Sequence, residues 1–92
     1  MEGRGNEVEV VRLVYLARLR EAFGTGGEAY PIGAPVDVAT IVDDLRARGG
    51  AFARELAAGR AYKVAVNHEI AGPRSVVGPG DEVAFLPPVT GG

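Results

Sequence analysis

The chain has 92 residues, a formal charge of −2, 47% hydrophobic residues and no cysteine. That length holds one small domain and excludes a second, while the scattered arginines and the lack of an apolar run of spanning length argue against nucleic-acid and membrane partners. Without cysteine there is no disulfide framework, thiolate metal site, cysteine nucleophile or persulfide, so any acyl or sulfur chemistry has to use the terminal carboxyl.

Residues 1–7 form a polar, Gly-rich leader without a signal-peptide apolar region, which predicts a soluble, cytoplasmic protein. Residues 8–17 are β-branched and aromatic and too apolar on both faces for a surface strand, so they belong centrally in a sheet. The pattern does not fix whether Leu13 and Tyr15, or Val14 and Leu16, face the core. Residues 18–23 switch to helix formers and predict a short helical turn with Leu19 or Phe23 inward, ended by Gly24. The run Gly24-Thr25-Gly26-Gly27 lacks the Gly-Lys-Ser/Thr ending of a phosphate loop and reads as a connecting turn. Residues 28–32 then give a short strand that Pro31 confines to an edge or a strand end, and the two strands make a hairpin.

Asp37 is placed to cap the clearest helix of the sequence, in which Val38, Ile41, Val42 and Leu45 fall on one stripe. Gly49 and Gly50 supply its stop. Asp43 and Asp44 are sequence neighbours on its other face; such neighbours splay apart on a helix and predict a solvated face, not an acid/base or metal pair. Residues 51–58 predict a second, shorter helix with Phe52 and Leu56 four apart and Gly59 as terminator. Residues 62–66 are a strand, residues 67–69 a turn, and Ile70 starts a brief return strand. His68, the only histidine, lies on that turn with no second ligand of its kind, which marks it as structural. Val76 and Val77 lead through Gly78-Pro79-Gly80-Asp81 into the final strand.

The last stretch, Glu82-Val83-Ala84-Phe85-Leu86-Pro87-Pro88-Val89-Thr90-Gly91-Gly92, carries the chemistry. Val83 and Phe85 anchor a strand, with Phe85 in the core. Pro87 and Pro88 cannot donate backbone hydrogen bonds and favour an extended path, so they stop the strand and direct the remaining residues away from the body. Gly91 and Gly92 have no Cβ, so the terminus fits a channel too narrow for other residues. Alone, Gly-Gly is a frayed end; the strand and rigid proline pair before it predict a launched tail. Residues 87–92 are therefore expected to be a protruding, flexible tail on a domain of residues 8–86. Thr90 and Gly91 would thread a partner's channel. Leu86, Pro87, Pro88 and Val89 would form the docking surface. The sequence shows no metal site and no constellation for stand-alone catalysis.

The element order describes an α+β layer, a mixed sheet packed on one main helix, with the first and last strands parallel across a long connection. On Val14-Tyr15-Leu16-Ala17-Arg18-Leu19-Arg20-Glu21, Val64-Ala65-Val66-Asn67 and the run from Gly80 to Gly92, the chain resembles the β-grasp, ubiquitin-like sulfur carriers, and within them the small subunit of molybdopterin synthase. Two departures are the leader and Leu86, which stands where many members carry a second aromatic.

The resemblance implies that the Gly92 carboxylate is adenylated by a ubiquitin-activating-type adenylyltransferase using ATP. A sulfur donor enzyme then converts it to a thiocarboxylate, which gives its sulfur to cyclic pyranopterin monophosphate within the large subunit of molybdopterin synthase, in a heterotetramer. No cofactor is implied on the chain itself, which is then not an enzyme on its own. The same ending also suits a carrier for thiamine or cysteine synthesis, or a protein modifier joined to a target lysine.

Overall fold

The computed structural model describes residues 9–88. The β-branched run forms β1 (Val10–Tyr15), which pairs antiparallel with β2 (Gly27–Pro31) as the expected hairpin, Val14 opposite Gly27 and Val10 opposite Pro31. Alternate residues settle the facing that the sequence left open: Val11, Leu13 and Tyr15 are buried, while Leu16 is exposed. The first strand is shorter than predicted. The Leu16 N–H donates to the Phe85 carbonyl, and Ala17 turns into the left-handed region at φ 51, starting α1 (Ala17–Phe23) at the residue where the strand was expected to end. A non-glycine residue there is strained, so the Leu16–Ala17 corner is held by its surroundings.

Gly24, at φ 77, closes α1 with its N–H on the Arg20 carbonyl, and Leu19 is the buried residue of the helix. The glycine turn serves a close approach: a Cβ on Gly27 would run into the backbone carbonyl of Leu13 on the neighbouring strand. Thr25 Oγ1 bonds both the N–H and the carbonyl of Gly27, which closes the turn on itself. As Pro31 requires, β2 lies at the edge of the sheet.

The main helix α2 (Val38–Ala47) has the predicted cap, Asp37 Oδ1 accepting from Thr40 N at 2.9 Å, and the predicted stripe of Val38, Ile41, Val42 and Leu45 is buried. Asp43 and Asp44 are both exposed, as expected of a solvated face; Asp43 lies 3.7 Å from Arg46, and Asp44 accepts a hydrogen bond from the Tyr30 hydroxyl on β2. Two left-handed glycines, Gly49 and Gly50, turn the chain into α3 (Gly50–Glu55). This helix is shorter than predicted at its C-terminal end. Leu56, completely buried, leaves helical geometry at φ −104 and ψ 14 as it enters the core, and Gly59, expected as the terminator, instead serves the loop beyond at φ 90.

β3 (Val36–Asp37), a two-residue strand that the sequence reading did not anticipate, precedes α2. After α3, β4 (Lys63–Val66) turns through Asn67 and His68, both at positive φ, into β5 (Glu69–Ala71). Val76–Val77 is β6, and it pairs with β3. β7 (Glu82–Leu86) runs parallel to β1 and antiparallel to β4, giving the five-strand order β2-β1-β7-β4-β5. This mixed sheet on one main helix is the expected α+β, β-grasp ubiquitin-like arrangement. Val11, Leu13, Val83 and Phe85 join Ile41, Leu45 and Leu56 in the single core.

Candidate functional site

The last strand is the middle of five, so its end is fixed from both sides. Phe85 lies opposite Tyr15 on β1 and Val64 on β4, with no exposed surface and ring contacts to Tyr15 at 5.8 Å and Tyr62 at 6.3 Å. Leu86 pairs with Lys63, the first residue of β4, and is half-buried. Pro87 is half-buried and Pro88 exposed, so the chain moves from core to solvent in three residues. Proline ends the ladder there because it has no N–H to donate. Leu16, 39% exposed, comes beside this exit through its bond to Phe85.

Of the sequence-predicted site residues, Leu86, Pro87 and Pro88 are brought together at the exit. Val89, Thr90, Gly91 and Gly92 lie outside the described residues, as does the leader. Against the proline pair is a cavity of about 210 Å³ bordered by Arg18, Leu19, Glu55, Arg60 and Tyr62. The sequence reading named none of these as functional. Its centre is Glu55, the only buried charged residue among the described ones.

Glu55 Oε1 accepts from Arg18 Nη2 at 2.9 Å and from Arg60 Nη2 at 3.0 Å, and Arg54 Nε is 3.6 Å from Oε2. Burial pushes the Glu55 carboxyl up, but Arg18, Arg60 and Arg54 together outweigh burial and hold it below the usual carboxylate range. The cluster therefore ties α1, α3 and the segment before β4 together beneath the exit as one charged unit. One signal in the sequence could have found it: Glu55 stands three residues after Phe52, on the apolar side of its helix. Its partner Arg18 is 37 residues away, which no local pattern reveals. Tyr62, on the same wall, has its phenol pushed up by burial.

The other chemistry-bearing residues stand elsewhere. His68 lies at the far end of β7, its Nδ1 3.8 Å from Glu82 Oε2. Among the described residues no group of three His, Asp or Glu side chains could hold a metal ion, and no helix is long and apolar enough to cross a membrane. A larger cavity of about 490 Å³ lies between α2 and the β4–β5 hairpin, lined by Val42, Leu56, Tyr62 and Ile70 together with Asp43, Arg46, Arg60 and Lys63. What the end of β7 offers is a fixed point, held from both sides by β1 and β4, at which the described chain reaches solvent.

The model of the ThiS family matches residues 13–92. A chain in the crystal structure of the Amycolatopsis orientalis BexX/CysO complex is 30% identical, with TM-score 0.65, over 89% of this chain and 99% of that one. SAMP1 from Haloferax volcanii shares the fold at TM-score 0.72 and 23% identity, over 90% of this chain and 99% of its own. A Pyrococcus furiosus protein described as a putative molybdopterin converting factor, subunit 1, does so at TM-score 0.72 and 20% identity, over 88% and 99%. No curated protein sequence matches the chain.

Proposed function

The chain belongs to the ThiS family, and on that premise we propose that it is a sulfur carrier serving as the small subunit of a molybdopterin synthase. The observation that carries the reading is the end of β7: a fully buried Phe85, a half-buried Leu86 and Pro87, and an exposed Pro88, immediately before Val89-Thr90-Gly91-Gly92. A rigid base and a thin, side-chain-free end suit delivery of one terminal atom into a partner's active site.

In this reading an adenylyltransferase partner binds the exit and the Gly92 carboxylate attacks the α-phosphate of ATP, releasing pyrophosphate. Sulfide-level sulfur from the donor enzyme then attacks the acyl carbon, AMP leaves, and a thiocarboxylate remains. Within the large synthase subunit its sulfur bonds to a carbon of the cyclic pyranopterin as a carbon–oxygen bond there breaks, water cleaves the acyl–sulfur bond to restore the carboxylate, and a second loaded chain supplies the second sulfur of the dithiolene. This chain binds neither ATP nor pterin; Leu86, Pro87, Pro88 and Val89 dock, Thr90 and Gly91 thread, and Gly92 carries the sulfur. Acid/base groups come from the partner.

A second reading is favoured by the 30% identity to a chain of the BexX/CysO complex: the same carrier chemistry delivered to a different acceptor. The two are separated by loading the chain with sulfur and offering it the large synthase subunit with cyclic pyranopterin. Consumption of the thiocarboxylate with dithiolene formation supports the molybdopterin route. Persistence of the thiocarboxylate there moves the assignment to the other acceptor.

A further inference from the structure

A carboxylate paired with half-exposed arginines adds little to the stability of a small domain, because solvent screens much of the attraction. Glu55 therefore calls for a role beyond stability. Both Arg18 and Arg60 reach its Oε1 through a single nitrogen, Nη2. Each guanidinium has five N–H donors, so most of them are left for something else. Arg18, Arg54 and Arg60 keep 59%, 62% and 43% of their side-chain surface exposed, although they are anchored from below.

The charge is also polarised along the last strand. At the start of β7 stand Asp81 and Glu82, with Glu69 close by through the β4–β5 hairpin and Arg12 opposite Glu82 as the one arginine beside them. At its end stand Arg18 and Arg60, bordering the cavity against Pro87 and Pro88, and Lys63, opposite Leu86, with Arg54 beside the buried Glu55. A chain of net charge −2 thus presents a positive end beside Pro87 and Pro88. Complementary fields of this kind steer encounter and fix orientation.

We propose that Arg18 and Arg60, pre-positioned beside Pro87 and Pro88 by the buried Glu55, form with the neighbouring Arg54 a basic collar that docks on a carboxylate-rich rim around the channel of the adenylating partner. The inference rests on the sulfur-carrier reading and holds for either acceptor, since both need Gly92 activated. Arginine suits the task because its fork pairs with a carboxylate through two parallel bonds. Glu55 is a positioning residue in this scheme: it touches no reactant and acts by holding Arg18 and Arg60.

The test is ATP–pyrophosphate exchange by the adenylating enzyme with the full chain as substrate, at about 10 mM salt, where the Debye length is about 30 Å, and at about 1 M, where it is about 3 Å. For the wild type the collar predicts a KM about tenfold or more higher at high salt with kcat little changed. Arg54→Glu and Arg60→Glu should raise KM at low salt and flatten the salt dependence. Glu55→Gln discriminates most sharply. It makes the surface more positive, so attraction by net charge alone would lower KM, whereas loss of the pre-positioned arginines raises it. A lower or unchanged KM for Glu55→Gln overturns the positioning role. A wild-type KM indifferent to salt overturns the collar, even if a substituted chain fails to fold. Absence of exchange with the wild-type chain overturns the carrier reading and the collar with it, which separates the two failures.

Discussion

The Tyr15 hydroxyl donates to Glu28 Oε2 at 2.6 Å, across the β1–β2 hairpin, while Arg48 grips both oxygens of the same carboxylate at 2.8 and 2.9 Å. Arg48 in turn lies over the Phe52 ring, 4.8 Å from its centroid, so one carboxylate links the hairpin to α2 and α3. The Arg48 bond holds the Glu28 carboxyl below its usual range, against burial and with help from Tyr15. Its folded pKa is thus lower than its unfolded one. The stability it contributes is fully present above the unfolded value, about 4.3, and is lost as pH falls through the folded value. Glu28→Gln should lower stability at neutral pH and flatten the acid limb of a denaturation curve measured against pH. An unchanged acid limb would remove Glu28 from the account.

Tyr15→Phe isolates the hydroxyl. The ring contacts to Phe23 and Phe85 remain and one hydrogen bond to a charged acceptor is lost, so urea denaturation should show a loss of about 1.5–3 kcal/mol. The Tyr15 phenol is pushed up, by burial first and by Glu28 second, so no loosening from its ionisation is expected at mildly alkaline pH.

Two adjacent glycines should respond differently. Gly27→Ala places its methyl into the Leu13 backbone carbonyl, which cannot move without breaking the hairpin, and a loss of about 1–3 kcal/mol is expected. Gly26→Ala meets only the flexible end of the Arg20 side chain, at 3.4 Å, and should fold nearly as well as the parent. Equal thermal midpoints for the two variants would contradict the role given to Gly27.

Phe85 and Leu86 separate stability from docking. Phe85→Ala empties a fully buried site and should cost about 3–5 kcal/mol. Leu86→Ala, at a half-buried position, should change the melting curve far less and instead weaken binding of the adenylating partner. A binding constant that Leu86→Ala leaves unchanged would take Leu86 off the docking surface.

The main helix was legible because its whole explanation is local: a capping Asp37 and four apolar residues at helical spacing suffice. The parallel pairing of first and last strands was legible from the length of the connection. The inward face of β1 was not, since Val14 and Leu16 are as apolar as Leu13 and Tyr15. In the fold Val14 sits between Gly27 and Ala84 on the outward face of the strand, with Val10 and Arg12. β3 was missed because a two-residue strand has no period, and its partner Val76–Val77 lies far along the chain. Near the site, the end of the last strand before Pro87 was readable from the apolar strand residues and proline chemistry together. The Glu55 cluster was not, because its meaning comes from Arg18 and Arg60 converging on one oxygen, a tertiary fact.

The central claim is that Gly92 is activated and then carries sulfur. The direct measurement is the intact mass of the chain after incubation with the adenylating enzyme, ATP and a sulfur donor, beside variants with one residue added after Gly92 or with Gly91→Val. A mass gain equal to one oxygen-to-sulfur exchange at the C-terminal glycine of the parent, absent from both equally stable variants, is the predicted result. No exchange on the parent, under conditions that load a known carrier, would contradict the account and turn attention to a modifier that ends as an isopeptide on a target lysine.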